Sequence, residues 1–97
     1  MYQLIFSPQS ELDLLEIGDY IALDSKASAR RWIVILRAQC QKIKLSPLGY
    51  VTRPEIKLGA RSVSIGRYII LFTVKEAVVR IERVVHGSRD LGRLSFE

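Results

Sequence analysis

The stretch RSVSIGRYIILFTV, residues 61–74, decides the fold because its hydrophobic pattern is that of a β-hairpin. Val63 and Ile65 alternate with serines, which predicts a half-exposed strand. Residues 68–74 are almost entirely apolar, which predicts a central strand covered on at least one side by other elements. Gly66–Arg67 lies between the two strands and is typical of a two-residue hairpin loop with glycine first, where a positive φ is needed.

This hairpin carries positive charge at its turn and at the start of its first strand. Arg61 opens that strand, and Arg67 occupies the turn. Two interpretations are open at this point. The arginines either keep an exposed hairpin soluble or form part of a surface that binds something acidic.

Two helices are predicted before the hairpin. Residues 2–6 are typical of a short strand that ends at Ser7, a favourable N-cap residue, and the proline that follows suits a first helical position. Apolar side chains at helical spacing predict a first helix over residues 8–23 and a second over residues 26–45. The link between them is short, so we expect an antiparallel helical hairpin.

One further strand is predicted near the end of the chain. Residues 46–60 contain prolines and glycines and are expected to be irregular, whereas residues 78–86 have the pattern of a strand. We expect one face of that strand to carry Val79, Ile81 and Val85, and the other to carry Val78, Arg80, Glu82, Val84 and His86. The tail that follows is expected to be an exposed polar extension.

These elements give the order β-α-α-β-β-β and predict an α+β fold. A helical hairpin would pack on a small, mostly antiparallel sheet. A chain of 97 residues with 48% apolar side chains is expected to form a single domain over residues 1–97. An order of this kind does not by itself indicate a function.

The composition argues against several classes of protein. Cys40 is the only cysteine and His86 the only histidine, so an internal disulfide is impossible and a structural zinc site lacks ligands. We expect no metal and no cofactor. The N-terminus lacks the pattern of a signal peptide, and no apolar run is long enough to cross a bilayer. A cytoplasmic protein without a membrane partner is the expectation.

Charge is distributed unevenly along the chain. Residues 1–25 contain five acidic side chains and no Lys or Arg, whereas the remaining 72 residues contain all 15 Lys and Arg and the other five acids. The first helix is therefore acidic and the rest of the chain basic. A basic surface attracts nucleic acid or an acidic protein partner, although a solvated surface that aids solubility is an equally good explanation.

Two sets of residues are candidates for a functional site. A ribonuclease-like set would use His86 or Tyr68 to carry a proton, with Arg61, Arg83 and Arg89 stabilising a phosphorane-like charge. The alternative is a basic binding face made by Arg61, Arg67, Arg83 and Arg89. Purely structural roles are also open. His86 would end a strand, Tyr68 would lie at the edge of the hydrophobic core, and the arginines would form a charged rim.

Two motifs resemble the ParE branch of the RelE/ParE toxins. The stretch ARSVSIGRYIILFTV, followed by VVRIERVVHGSRDL, resembles the ParE pattern of an arginine, a Gly-Arg-Tyr turn, an apolar strand and a Val-x-His-Gly-x-Arg-Asp ending. The matching residues are Arg61, Gly66, Arg67, Tyr68, Val84, His86, Gly87, Arg89 and Asp90. The segment KLSPLGYVTRPEIKLGARS also resembles the helix end and connecting loop of the family. The resemblance covers nearly the whole chain.

The resemblance implies a bacterial type II toxin. ParE members poison DNA gyrase and are held inactive by a ParD-like antitoxin, whereas RelE members have the same fold and cut messenger RNA in the ribosome. By this resemblance the expected partners are gyrase and, in a hetero-oligomer, an antitoxin with an acidic amphipathic tail; DNA would be contacted only indirectly, through the antitoxin. The candidate residues for binding antitoxin or target are Arg61, Arg67, Tyr68, Arg83, His86 and Arg89.

Three departures from the RelE pattern favour ParE. Ile69 follows the hairpin tyrosine, where RelE-type nucleases carry a cation, and residues 62–65 lack the basic side chains of those nucleases. No tyrosine or histidine follows Arg89. The resemblance therefore implies a protein inhibitor of gyrase without a catalytic residue. A ribosome-dependent ribonuclease, or a weakly toxic member that acts mainly with its antitoxin in operon repression, are the alternatives.

Overall fold

A computed structural model describes residues 1–96 and contains two helices and five strands. The elements are β1 (Gln3–Phe6), α1 (Pro8–Ala22), α2 (Lys26–Ile43), β2 (Val51–Thr52), β3 (Ala60–Ile65), β4 (Tyr68–Lys75) and β5 (Val78–His86), with 3-10 turns at Pro47–Gly49 and Leu91–Arg93. The α+β order predicted from the sequence is confirmed, and the segment expected to be irregular contains the additional two-residue strand β2. In the described part of the chain, no helix is long and apolar enough to span a membrane.

Serine side chains start both helices. Ser7 Oγ accepts a hydrogen bond from the Ser10 N–H at 3.0 Å, with proline in the first helical turn. Ser25 Oγ accepts from the Ser28 N–H at 3.1 Å. Each contact satisfies a backbone donor that lacks a partner inside the helix. The second helix ends at Ile43, two residues earlier than the sequence pattern indicated.

The sheet has the strand order β1-β5-β4-β3-β2. β1 pairs with β5 in parallel, and every other pair is antiparallel, which confirms a mostly antiparallel sheet. Because the first strand lies beside the last, α1 starts next to β5: the Ser7 N–H donates to the Ile81 carbonyl at 2.9 Å, and the Ser7 hydroxyl donates to the Glu82 carbonyl at 2.7 Å. This pairing brings α1 alongside the second half of β5.

The turn between β3 and β4 is held against α2. Gly66 has a φ of 58°, as the sequence predicted, and a Cβ at this position would lie 2.5 Å from Cη2 of Trp32. The Trp32 and Tyr68 rings pack edge to face with centroids 5.5 Å apart. Glycine is therefore required here both for the backbone conformation and for the space that the indole occupies.

A β-bulge at Glu82 interrupts the alternation of side chains along β5. Ile81 and Arg83 pair with consecutive residues of β4, so Glu82 has no partner across the ladder. The bulge reverses the faces beyond it. Val84 belongs to the core cluster with Ile81, so the prediction that placed Val85 on the face of Ile81 is wrong.

The hydrophobic core lies between the helical hairpin and the sheet. Its buried members come from α1, α2, β4 and β5: Leu14, Leu36, Cys40, Ile43, Ile70, Phe72, Val79, Ile81 and Val84. The Cys40 thiol is fully buried on α2, and desolvation raises its pKa to about 12. Cys40 therefore acts as a small apolar core residue.

Candidate functional site

An open cleft of about 510 Å³ lies where α1, the β3–β4 turn and the end of β5 meet. Its lining residues come from these three regions and the segment after β5: Asp13, Glu16, Ile17, Tyr20, Arg67, Tyr68, Val84, Val85, His86, Ser88 and Arg89. Four of the six candidates from the sequence, Arg67, Tyr68, His86 and Arg89, line this cleft. The two remaining arginines do not.

Tyr68, at the start of β4, and His86, at the end of β5, are cross-strand partners. Their rings pack edge to face with centroids 5.8 Å apart, and Trp32 packs on the tyrosine from α2. The tyrosine is therefore partly buried and fixed between two rings. Such packing presents a rigid aromatic edge to whatever enters the cleft.

The exposed imidazole of His86 is oriented by the residue two positions further on. The Ser88 N–H donates to His86 Nδ1 at 3.1 Å, and Ser88 Oγ lies 2.7 Å from the same nitrogen. Because a backbone N–H can only donate, Nδ1 is an acceptor and the neutral ring carries its proton on Nε2. His86 can thus donate a hydrogen bond to a partner.

Arg83 forms a buried ion pair and is not part of an accessible basic face. Its Nε donates to Asp13 Oδ2 at 2.8 Å, its Nη2 donates to Oδ1 at 2.9 Å, and its Nη1 donates to the Ser95 carbonyl at 2.9 Å. Both charged side chains are 5% exposed. Hydrogen bonding to the carboxylate raises the pKa of Arg83 further above its ordinary range. The prediction that Arg83 shares an open surface with the other arginines is wrong because α1 supplies a carboxylate that covers it.

Arg61 also lies away from the cleft. It is half-buried on β3, and its Nη1 donates to the carbonyls of Tyr50 at 2.7 Å and Leu48 at 3.3 Å. The guanidinium therefore holds the segment that follows α2. The predicted grouping of Arg61 with Arg67 and Arg89 is wrong: only Arg67 and Arg89 reach the cleft.

The C-terminal tail contacts the body of the protein. Besides the bond from Arg83 to the Ser95 carbonyl, the Lys57 ammonium lies 5.3 Å from the centroid of the Phe96 ring. The expected exposed extension is thus anchored at two points. Sequence polarity alone could not indicate these contacts because one uses a backbone carbonyl.

One wall of the cleft was not identified from the sequence. Asp13, Glu16, Ile17 and Tyr20 follow one another at helical spacing on α1 and all line the cleft. Tyr20 is 76% exposed, which is high for a large aromatic side chain. The spacing of an exposed aromatic and two carboxylates on a single helix face is the signal that could have found this wall.

The fold places the chain in a class of small α+β proteins with known structures. It matches a chain of the structure described as "Chromosomal ParDE TA system from P. aeruginosa", with a TM-score of 0.78 and 21% sequence identity over 89% of this chain and 96% of that one. At this identity the match shows the fold. Comparison with curated protein sequences gave no match.

The family model described as "ParE toxin of type II toxin-antitoxin system, parDE" matches residues 4–91, and the chain belongs to this family. It is thus a ParE-type toxin of a type II toxin–antitoxin system. Membership of such a system implies an antitoxin partner. The resemblance stated from the two motifs is confirmed.

Proposed function

We propose that this toxin inhibits DNA gyrase by binding it and that a ParD-like antitoxin neutralises it. The observation that carries the proposal is the state of Arg83. In a ribonuclease, an arginine at this position would stabilise the charge on a phosphate. In this chain Asp13 already neutralises the Arg83 guanidinium. The ribonuclease-like set therefore loses one of its three arginines, which favours a protein-binding inhibitor over a catalyst.

Purified toxin should make gyrase accumulate linear DNA with protein attached, starting from a supercoiled plasmid. Induction in a sensitive bacterium should cause DNA-damage signalling and filamentation while bulk messenger RNA stays intact. Toxin bound to its antitoxin is the control and should leave gyrase unaffected. Rapid ribosome-dependent cleavage of transcripts without any effect on gyrase would overturn the proposal.

A ribosome-dependent ribonuclease is the second candidate because the cleft does bring a possible proton carrier near two cations. His86 lines it together with Arg67 and Arg89. The discriminating variant is His86→Ala, since His86 is exposed and its loss leaves the core intact. Toxicity that survives this change excludes acid–base catalysis by His86, whereas loss of transcript cleavage with preserved folding would support it.

We propose that the antitoxin contacts the toxin at two places. Among residues 1–96, the side chains of Arg67 and Arg89 form neither a hydrogen bond nor an ion pair, so an acidic segment could reach both. A groove of about 450 Å³ between α1 and α2, partly lined by Leu15 and Ile33, could receive an apolar helix face. A tail that is both acidic and amphipathic fits these two surfaces.

A further inference from the structure

The solvent-exposed face of α2 is strongly basic. This 18-residue helix contains no Asp or Glu and has five Lys and Arg residues: Lys26, Arg30, Arg31, Arg37 and Lys42. All five are exposed. A helix with this composition concentrates positive potential along one side of a small protein.

Four of these cations are available to a partner. Within residues 1–96, Lys26, Arg30 and Lys42 form no hydrogen bond or ion pair through their side chains, and Arg31 contacts only the Ser28 hydroxyl at 3.2 Å. Arg37 differs because its guanidinium forms an ion pair with Glu11 at 2.8 Å. The face therefore keeps four cations that are not neutralised by a carboxylate of the chain.

The four cations lie on both sides of a strip of smaller side chains. At about 3.6 residues per turn, Lys26 and Arg30 fall on one side and Arg31 and Lys42 on the other. The strip between them consists of Ala27, Val34, Ala38 and Gln41, all exposed. No charged side chain stands between the two pairs of charges, and Val34 is the one large apolar side chain of the strip, so a surface carrying two rows of negative charge can approach the helix.

We propose that this face of α2 binds duplex DNA directly, with the helix in the major groove and its cations on phosphates of both strands. A helix with side chains is about 10–12 Å across and the major groove about 12 Å wide. An acidic amphipathic helix fits less well because it needs several large apolar anchors in a groove, and the strip offers one large apolar side chain, Val34. The contacts are with the DNA backbone and carry no sequence preference.

The proposal goes beyond inhibition of gyrase, since it gives the toxin its own contact with DNA in addition to any contact made through the antitoxin. It also predicts a strong dependence on salt, because each neutralised phosphate releases bound counterions. The acidic side of α1 adjoins this face through the Arg37–Glu11 pair. Repulsion there would restrict the DNA to the side of the molecule that α2 presents.

The test measures binding of a fluorescently labelled duplex of about 30 base pairs to the purified toxin, by anisotropy, over a series of salt concentrations. The variant Arg30→Gln/Lys42→Gln removes one cation from each side of the strip. It should bind about 10- to 100-fold more weakly at low salt, with a salt slope smaller by about 2. The control variant, Lys75→Gln/Arg93→Gln, removes the same charge from exposed positions outside α2 and should bind like the parent.

Three outcomes would overturn the proposal. The first is a parent protein that does not bind the duplex at low salt, and the second is an equal loss of DNA affinity in both variants. The third is seen when an acidic helical peptide is titrated in the same way: the Arg30→Gln/Lys42→Gln variant loses affinity for the peptide while its DNA binding is unchanged. The last would identify the face as a protein-binding surface. Gyrase is absent from the measurement, so the result does not depend on whether gyrase is the target.

Discussion

At the scale of single residues, the buried pair of Asp13 and Arg83 joins three parts of the molecule. The two residues are 70 positions apart in the sequence. Asp13 also accepts the Val84 N–H at 2.9 Å, while Arg83 holds the tail through the Ser95 carbonyl. The carboxylate thus pairs a backbone donor of β5 that β1, ending at Phe6, does not reach. This one ion pair therefore connects β5, α1 and the C-terminal tail.

Removing one member of this pair should destabilise the toxin strongly. We expect Arg83→Ala to lower the free energy of unfolding by about 3–5 kcal/mol because the Asp13 carboxylate stays buried without its partner. Urea denaturation measures the effect. Arg89→Ala, at an exposed arginine of the cleft, is the control and should be close to neutral. An Arg83→Ala variant as stable as the parent would show that the pair adds nothing to folding.

The buried thiol of Cys40 should make the protein less stable in alkali. The pKa of this group is about 12 in the folded chain and near 8.5 when unfolded. Because the folded pKa is raised, the folded state keeps the proton while the unfolded state loses it, so stability falls as pH rises from about 8.5 towards 12. The loss approaches about 1.4 kcal/mol for each pH unit in that range.

Urea midpoints at pH 8 and pH 10 test this dependence against Cys40→Ala. That variant is expected to be less stable at pH 8 because of the small cavity it leaves, but to lose less stability on going to pH 10. Contributions from all other groups are the same in both proteins, so they cancel in the comparison. Equal losses in the two proteins would mean that the thiol does not control the effect.

At the scale of secondary structure, the positions of the elements could be predicted from the sequence, but the details that shape the cleft could not. Alternation in β5 misplaced Val84 and Val85 because the bulge at Glu82 shifts the register by one residue. Glu82 follows Arg80 at the spacing of a regular strand, so the sequence pattern gives no sign of the extra residue. The bulge is stabilised by tertiary contacts: the Glu82 carboxylate accepts from the Thr73 hydroxyl at 2.8 Å and from Arg80 at 2.6 Å.

Only part of the candidate site could be predicted from the sequence, because the rest depends on contacts between residues that are distant in the chain. Arg67, Tyr68, His86 and Arg89 come from one hairpin and the end of the neighbouring strand, so local motifs were enough to group them. The environment of Arg83 depends on Asp13, which lies far away in the sequence, and strand periodicity contains no information about such a partner. The wall of the cleft that α1 supplies was missed because the parallel pairing of β1 with β5 was not foreseen.

The packing of the β3–β4 turn against Trp32 can be tested by comparing Gly66 with a second glycine of positive φ, Gly59. Gly66→Ala should destabilise the toxin by at least about 2 kcal/mol, since the new Cβ meets the Trp32 ring at 2.5 Å and the φ is 58°. Gly59→Ala is the control: it has a φ of 83° but no atom within 4 Å of the new Cβ. It should cost only the backbone strain, about 1–2 kcal/mol.

Thermal unfolding of both variants measures the difference between them. The double variant Gly66→Ala/Trp32→Leu should relieve the clash and show a smaller combined loss than the sum of the two single changes. Additive losses, or equal effects at the two glycines, would contradict the contact between this turn and α2.

At the scale of the whole molecule, acidic and basic side chains are concentrated on different elements. The exposed acids Glu11, Glu16 and Asp19 lie on α1, whereas α2 and the turn at Arg67 present cations. The two kinds of charge meet in the cleft, which Glu16 lines together with Arg67 and Arg89. An acidic tail is therefore attracted to the two arginines and repelled by α1, which orients it before close contacts form.

The arginines of the cleft should accordingly contribute to antitoxin affinity. We expect Arg67→Ala or Arg89→Ala to weaken binding of an antitoxin tail about 10- to 1,000-fold, mainly through faster dissociation. Arg93→Ala is the control, because Arg93 is highly exposed and pairs with Asp90 at 3.3 Å. Its effect should be small and disappear at high salt.

Binding kinetics at two salt concentrations separate these cases. Both cleft variants must keep the urea midpoint of the parent for the result to report on binding. If Arg67→Ala and Arg89→Ala bind the tail as tightly as the parent, these arginines form only a solvated rim.

The parallel pairing of β1 with β5 also sets the order in which the newly made protein can mature. Residues 3–6 pair with residues 78–81, so β1 has no neighbour until about 75 more residues have been synthesised. At about 5–20 residues per second, that interval is roughly 4–15 s. The helical hairpin can form earlier from local contacts. A chain interrupted before β5 is synthesised therefore lacks the completed sheet, the cleft and the Asp13–Arg83 pair, and we expect it not to act as a toxin.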